Sequence, residues 1–360
     1  MILNDVSSGF HNSRDAQLVS WLKIKSEFEG GGILLGNGFS CAVWNNFAYS
    51  SLYEKACSGK EIEHPLSEED IQLFESMKTK NFERILYMLL NAINVNQIFG
   101  QEYILLKERY EHIKTALGEA VRAVHIPWDR VDCSVKQKIR EELLKYKQIY
   151  LTNYDLLTYW ATMPQDDKDF KDDFKDFFWN RPRGSDEQLF NIANTSIRDN
   201  PTVVLYLHGA LHIYRNSQSE RTYKLVNNGM ENILKVVEVP LFISEGTSED
   251  KLRAINSSDY LSFAYNKFIN HSGSLVIFGH SLDETDEHLI SAIRNSKVNK
   301  IAISIRGSNT PETIKKKMAD LNHKLCDKNY SKPKLFFFDA ETHPLGSSSI
   351  RVEDESYFDF

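Results

Sequence analysis

Residues 31–40 are GGILLGNGFS, an apolar run at 33–35 followed at once by two glycines one residue apart. A short run of this kind predicts a strand buried on both faces, as in a parallel sheet covered by helices. Glycine at Gly36 and Gly38 lets the backbone turn sharply and approach a phosphate, which the N-terminus of the next helix would face. We therefore expect a nucleotide-binding loop. A tight turn is the alternative, because Cys41 stands where a third glycine belongs.

Similar apolar runs recur along the chain and predict further buried strands at 148–152, 203–207, 241–243, 275–278, 301–305 and 335–338. Helical periodicity follows several of them, at 258–269, 283–294 and 311–325. The repeat of strand, loop and helix is typical of doubly wound α/β folds, so we expect a Rossmann-like doubly wound parallel sheet.

More than a hundred residues separate the first two strands, and their helical periodicity at 81–98, 102–124 and 134–146 predicts an inserted helical subdomain at about 57–146. We place it within one domain, 31–345, because strands of one sheet lie on both sides of it. Three segments are expected outside this core: an N-terminal helical segment at 1–30, an acidic tail at 346–360, and an acidic stretch at 165–179 that is an exposed loop, an amphipathic helix or a docking segment.

Composition narrows the class of protein. The 360 residues carry 43 Lys and Arg against 50 Asp and Glu, a formal net charge of −7, so we do not expect direct nucleic-acid binding. No apolar stretch approaches the roughly 20 residues that span a bilayer. The four cysteines form no CxxC pair, which argues against a zinc ribbon or a disulfide framework and favours the reducing cytoplasm.

Polar residues follow the second and third predicted strands. Asn153 and Asp155 could fix a polar ligand, because ligands bind at the carboxyl ends of the strands in a doubly wound sheet. They could equally cap the following helix. His208, which precedes a glycine, is placed to act as a general base near neutral pH, although a lone histidine is more often structural.

The loop that starts at Gly279 ends a later strand in the same way. Ser281 and Glu284 have the spacing of a capping box, and the loop could also hold ribose hydroxyls. Its histidines and aspartates suggest a metal cluster at first sight. We expect no metal site, because no helical spacing brings His280, Asp283, Asp286 and His288 to one face.

Four motifs stand at strand ends in this order: GNGFS at 36–40, TNYD at 152–155, LHG at 207–209 and GHSLDETD at 279–286. The set resembles the sirtuin-like domains of bacteria, above all the short sirtuin-like proteins of antiphage defence, which cleave NAD. The resemblance runs from about residue 31 to residue 338. It implies an NAD site with catalytic Asn153, Asp155 and His208, and NAD-binding Gly36, Asn37, Gly38, Phe39, Ser40, Thr152, Gly279, His280, Ser281 and Asp283.

The resemblance also implies a chemistry. Nicotinamide is cationic in NAD, so cleavage of its glycosidic bond needs no general acid, only stabilisation of an oxocarbenium-like ribose and a positioned water. We expect Asp155 to hold the nicotinamide carboxamide, Asn153 to position the water and the ribose, and His208 to handle the proton. Protein-deacetylating sirtuins carry a four-cysteine zinc ribbon, which the cysteines of this chain cannot form.

An unregulated NAD glycohydrolase would be toxic to its own cell. We therefore expect a cytoplasmic effector of antiphage defence that depletes NAD only when activated, by a neighbouring protein such as a HerA-type ATPase or a nucleotide-sensing subunit, or by homo-oligomerisation. Two other functions remain open. One is a sensor that binds NAD or ADP-ribose without cleaving it, and the other is an NAD-dependent ADP-ribosyl transferase or deacylase.

Overall fold

The computed structural model describes residues 18–48, 52–59, 62–163, 173–179, 187–196, 200–216, 219–226, 240–243, 247–326 and 333–353. The β-strands in these ranges are Gly32–Leu35 (β1), Gln148–Leu151 (β2), Phe174–Lys175 (β3), Phe178–Trp179 (β4), Glu187–Phe190 (β5), Thr202–Tyr206 (β6), Gly209–Arg215 (β7), Thr222–Leu225 (β8), Pro240–Phe242 (β9), Ser272–Phe278 (β10), Lys297–Ile305 (β11) and Lys334–Asp339 (β12). The α-helices are Asn37–Val43 (α1), Leu52–Ser58 (α2), Glu68–Ser76 (α3), Phe82–Ile98 (α4), Ile104–Val124 (α5), Cys133–Leu143 (α6), Leu157–Thr162 (α7), Ser248–Ser257 (α8), Asp259–Ile269 (α9), Glu287–Asn295 (α10) and Pro311–Leu325 (α11).

A seven-stranded parallel sheet forms the centre of the fold, in the order β12-β11-β10-β1-β2-β6-β3. All four residues of β1 are buried, as expected for a central strand with helices on both faces. From β1 the sheet continues through β2 and β6 on one side and through β10, β11 and β12 on the other. This order confirms the predicted Rossmann-like doubly wound arrangement.

A second, antiparallel sheet has the order β4-β5-β8-β7-β9, and the sequence did not predict it. The run at 241–243 was expected in the parallel sheet, but β9 pairs with β7 in the second sheet. All three residues of β9 are buried, so its apolar run has the same appearance as a strand of the parallel sheet. The chain passes from one sheet to the other within a few residues, since β6 ends at Tyr206 and β7 begins at Gly209.

Helices α2 to α6 lie between β1 and β2 in the chain. Ser67 and Asp70 form a capping box at the start of α3, which satisfies backbone N–H groups that an open helix end would leave unpaired. Each of the longer helices α4 and α5 buries one face and exposes the other, as amphipathic periodicity predicts. None of the described helices is long and apolar enough to cross a membrane.

The segments expected around the core are described only in part. Residues 18–30 form two 3-10 turns, and Val19 pairs with Phe338 of β12. Of the acidic stretch at 165–179, residues 173–179 form β3 and β4 rather than a helix, and the remainder lies outside the described residues. In the tail, Ile350 is buried, while 354–360 lie outside the described ranges.

Candidate functional site

The four motifs meet at one edge of the parallel sheet. They follow β10, β1, β2 and β6, which are consecutive neighbours, so their carboxyl ends lie side by side. The direction in which strands are added reverses between β1 and β10. In open α/β sheets, ligands bind in the crevice outside the carboxyl ends of the strands at this reversal.

The glycine loop after β1 packs directly on the loop after β10. The N–H of Gly38 donates to the carbonyl of Gly279 over 2.7 Å, and that of Gly36 donates to Phe278 over 3.0 Å. A Cβ on Gly36 would lie 2.7 Å from the Gly279 carbonyl oxygen. These glycines therefore serve the close approach of two loops. The Asn37 side chain donates to the carbonyl of Phe47, which ties the loop to the chain beyond α1.

A buried polar cluster joins the loops after β1 and β2. The Ser40 hydroxyl donates to Oδ2 of Asp155 over 2.5 Å, and Nδ2 of Asn153 donates to the Ser40 oxygen over 2.6 Å. The other carboxylate oxygen of Asp155 accepts the N–H of Leu157 at the start of α7. Asp155 therefore pairs the first N–H of α7 from the position before the N-cap residue Leu156, and it also orients Ser40. Thr152 donates to the carbonyl of Leu35, which holds the ends of β1 and β2 together.

Asn153 has an unpaired acceptor in this cluster. Its side chain is buried, and its Oδ1 atom has no hydrogen-bond partner among the described residues. The hydroxyl of the next residue, Tyr154, is buried and unpartnered in the same way. An unsatisfied buried polar group costs about 1–3 kcal/mol, so these two atoms are candidates for bonds to a water or a ligand.

His208 lies at the junction of the two sheets and belongs to a different group of side chains. Its Nε2 is 2.9 Å from Nε2 of His288, and the two rings stack at 27°. Burial, together with repulsion from His288 and Lys251, holds the pKa of His208 well below its usual range. Burial likewise lowers the pKa of His288 to about 4. Both imidazoles are therefore neutral at pH 7.

Charged residues surround this histidine pair. Lys251 of α8 donates to Oδ1 of Asp286 over 2.7 Å, and Nε2 of His280 lies 3.8 Å from Oδ2 of the same carboxylate. Burial alone would raise the pKa of Asp286, but its attraction to His280 and Lys251 lowers the pKa overall. Of the four residues weighed as a metal cluster from sequence, Asp286 and His288 come together with His208, so that one potential ligand atom of each lies within 4.8 Å of the others.

A cavity of about 450 Å³ opens on the other side of the glycine loops. Five residues expected to bind NAD line it: Gly38, Gly279, His280, Ser281 and Asp283. Phe39 and Ser40 are instead fully buried in the core. The structure thus divides the expected residues between the cavity beside β10 and buried clusters beside β2 and β6, and His280 belongs to the cavity lining and to the cluster around His208.

Sequence reasoning missed several residues of this region. Arg306, Lys317 and Arg351 line the cavity, and none of the three forms an ion pair with another residue in the described ranges. No arginine stood out for phosphate binding in the sequence, because Arg306 and Arg351 follow no recognisable motif. Ser248 was missed for the same reason. Its hydroxyl contacts His288 from a separate helix, and only the packing of α8 on α10 brings it there.

Another cavity, of about 380 Å³, lies between α4, β9 and α8, and none of the expected site residues lines it. We therefore assign the candidate site to the strand ends, where the four motifs lie and where the cavity of about 450 Å³ opens beside β10.

A search of curated proteins finds no match to the sequence. A family model described as "Domain of unknown function (DUF4917)" matches residues 33–345, which begin within β1 and end after β12 and so include the four motifs of the candidate site. The chain belongs to the DUF4917 family.

Proposed function

We propose that this protein is an NAD glycohydrolase, which cleaves NAD to nicotinamide and ADP-ribose. The observation that carries the proposal is the buried carboxamide of Asn153, which is oriented by Ser40 and Asp155 and has an unpaired oxygen just after the carboxyl end of β2 in a doubly wound sheet. A rigid, desolvated amide of this kind can orient a water molecule or a ribose hydroxyl at little reorganisation cost.

The cavity beside β10 supports a dinucleotide as the ligand. Its volume of about 450 Å³ falls within the range of small-molecule sites. The cations Arg306, Lys317 and Arg351 would face the phosphates, and Ser281 and Asp283 offer oxygens to ribose hydroxyls. In this arrangement the ADP-ribose part lies against β10 and β11, and the nicotinamide end reaches past the glycine loops toward Asn153.

The reaction balances with one water. The bond between the ribose C1′ and the nicotinamide nitrogen breaks, and its electron pair neutralises the pyridinium. The water oxygen then bonds to C1′, and one proton is released. Asn153 positions the water and the ribose, Asp155 fixes Ser40 and keeps lone pairs that can accept from the nicotinamide carboxamide, and His208 orients a ribose hydroxyl or the water.

A regulated effector of antiphage defence is the role that this activity fits best, because uncontrolled NAD loss kills the host cell. The proposal includes an activating partner or self-assembly. The tip of the α4 and α5 hairpin supports assembly, since it exposes several large apolar side chains: Val95, Ile98, Phe99, Ile104 and Leu105.

The test is nicotinamide release from NAD by the purified chain, alone and with the product of the neighbouring gene and lysate from infected cells. Asn153→Ala should lower the rate by about a hundredfold or more, as is typical when one preorganised group is removed. Asn295→Ala, the same change at an exposed position of α10, should leave the rate unchanged.

Two outcomes would contradict the proposal. If Asn153→Ala hydrolysed NAD as fast as the unsubstituted protein, the reaction would not take place at this site. NAD that binds, as measured by calorimetry, but is never cleaved under any of these conditions would favour the sensor function instead.

A further inference from the structure

We infer that Ser248 and His288 fix the tautomer of His208, so that neutral His208 carries its proton on Nδ1 and presents that N–H as a hydrogen-bond donor. The assignment of protons stands on the hydrogen bonds and on the neutrality of both buried rings. Its consequence for catalysis rests on the proposed NAD glycohydrolase.

The argument begins at Ser248, the first residue of α8. The backbone N–H of His288, in the first turn of α10, donates to the Ser248 oxygen over 2.7 Å. Nδ1 of the His288 ring lies 3.2 Å from the same oxygen. The serine oxygen accepts the backbone N–H with one of its two lone pairs, and for the hydroxyl hydrogen itself Nδ1 of His288 is the acceptor that the described residues offer; we therefore take the hydroxyl as the donor to the ring. His288 then accepts at Nδ1.

A neutral imidazole that accepts at one nitrogen carries its hydrogen on the other. His288 therefore holds its proton on Nε2, which lies 2.9 Å from Nε2 of His208. Two nitrogens at this distance share one hydrogen, so Nε2 of His208 is the acceptor. The remaining proton of His208 must be on Nδ1.

The surroundings keep both rings neutral. Lys251 of α8 and His280 after β10 face the pair with positive or potentially positive charge, whereas Asp286 is the nearby carboxylate and is engaged by Lys251. The hydroxyl of Tyr265 on α9 donates to the backbone carbonyl of His288, so its hydrogen bond does not involve the ring nitrogens. A third proton on the pair would therefore be buried beside an ammonium group, which is unfavourable.

The proton on Nδ1 changes the role of His208, which its position in the sequence predicted to be a general base. A general base needs a free lone pair that faces the substrate, but the lone pair on Nε2 of His208 accepts the hydrogen of His288. His208 instead donates from Nδ1 to a ribose hydroxyl oxygen or to water, and the proton of the attacking water leaves to solvent after the C–O bond has formed.

The direct test is nitrogen-detected NMR of the full-length chain labelled with ¹⁵N-histidine. The protein is first treated with a chelator, and the signals of the two residues are assigned by comparison with His208→Gln and His288→Gln. The expected result is a protonated Nδ1 and a bare Nε2 for His208, with the reverse for His288. A protonated Nε2 on His208 would overturn the inference. Two bare Nε2 atoms, as in a pair of metal ligands, would overturn it as well.

Three variants and one control test the roles of the partners. Ser248→Ala should give a mixture of tautomers, Ser248→Thr should restore the single form, and Ser76→Ala, on the exposed surface of α3, should change nothing. His288→Glu places an acceptor opposite His208 and should move its proton to Nε2. An unchanged His208 signal in Ser248→Ala and His288→Glu would refute the inference.

These measurements require no turnover, so they remain decisive if the chain does not cleave NAD. If it does, Ser248→Ala should lower kcat several-fold with little change in KM, and Ser248→Thr should recover it. A donor histidine of lowered pKa also gives a rate that stays level from about pH 6 to pH 8, whereas a general base with the usual pKa gives a rate that rises across this range.

Discussion

Gly38 and Gly279 meet backbone to backbone, with the N–H of Gly38 donating to the Gly279 carbonyl over 2.7 Å. This contact joins the loops after β1 and β10 at the point where the strand order reverses. Gly279 has a φ of 68°, and a Cβ there would lie 2.4 Å from the backbone nitrogen of Phe39. Neither the conformation nor the space admits a side chain.

Gly279→Ala should therefore destabilise the protein by more than the about 1–3 kcal/mol of backbone strain alone, because the loops must also separate. Urea unfolding should show a lower midpoint with an unchanged slope. The matched control is Gly100→Ala, where φ is 62° but nothing lies within 4 Å of the added Cβ. Equal losses in the two variants would mean that the loops do not need this contact.

The Lys251 and Asp286 pair should behave as a buried ion pair. Lys251→Met leaves an uncompensated carboxylate and should lower the free energy of unfolding by about 3–5 kcal/mol. Adding Asp286→Asn should recover part of the loss. Since the pKa of Asp286 is lowered in the folded protein, its contribution is present above the ordinary carboxyl pKa and is lost as the pH falls through the folded value.

The exposed ion pair of Arg253 and Glu249 provides the comparison. Arg253→Met should change the free energy of unfolding by less than about 1 kcal/mol in chemical denaturation at pH 7. If Lys251→Met had no larger effect than Arg253→Met, the buried pair would contribute no more than a surface one.

His343 should make the fold sensitive to acid. Burial, with a smaller effect from Lys145, lowers its pKa to about 3, so it stays neutral in the folded chain while the unfolded chain gains a proton below about pH 6.5. Stability from this group is thus complete above pH 6.5 and falls as the pH drops toward the folded value, by about 1.4 kcal/mol per pH unit.

The measurement is urea unfolding at several pH values between about 5 and 7, where His343→Gln should reduce the pH slope by roughly one proton. An identical slope in wild type and His343→Gln would show that His343 is protonated in the folded state.

Arg306 should contribute to binding of a phosphate-bearing ligand. It lies just after β11, lines the cavity of the candidate site, and forms no ion pair with any other described residue. Arg306→Ala should weaken ADP-ribose binding by about tenfold, the effect of losing one charge-assisted contact of about 1.4 kcal/mol. Titration calorimetry with ADP-ribose measures this loss of affinity. The same titration with ADP-ribose 2′-phosphate measures the selectivity between the two ligands.

Lys315→Ala, on the exposed surface of α11, is the matched loss of a cation outside the cavity lining. If Arg306→Ala and Lys315→Ala bound ADP-ribose with equal affinity, the prediction that this cavity binds its phosphates would be wrong.

Much of the fold follows from local sequence. Helix α11 has the predicted bounds, because Thr310 caps it, Pro311 opens it, and its apolar positions repeat with helical spacing. The run at 241–243 was placed in the wrong sheet, since an apolar triplet buried on both sides does not encode its partner strand. The antiparallel sheet as a whole escaped prediction, because four of its strands have only two to four residues, and the longer β7 is buried along almost its whole length and so shows no alternation.

By itself, the sequence determined that parallel strands alternate with helices and that Asn153, His208 and Gly279 follow strands, because apolar runs, helix signals and glycine turns are local features. Only the tertiary structure decided that Ser40 orients Asn153 and that His288 and Ser248 face His208. These contacts depend on strand order and helix packing, which join residues far apart in the chain and which no spacing along it encodes.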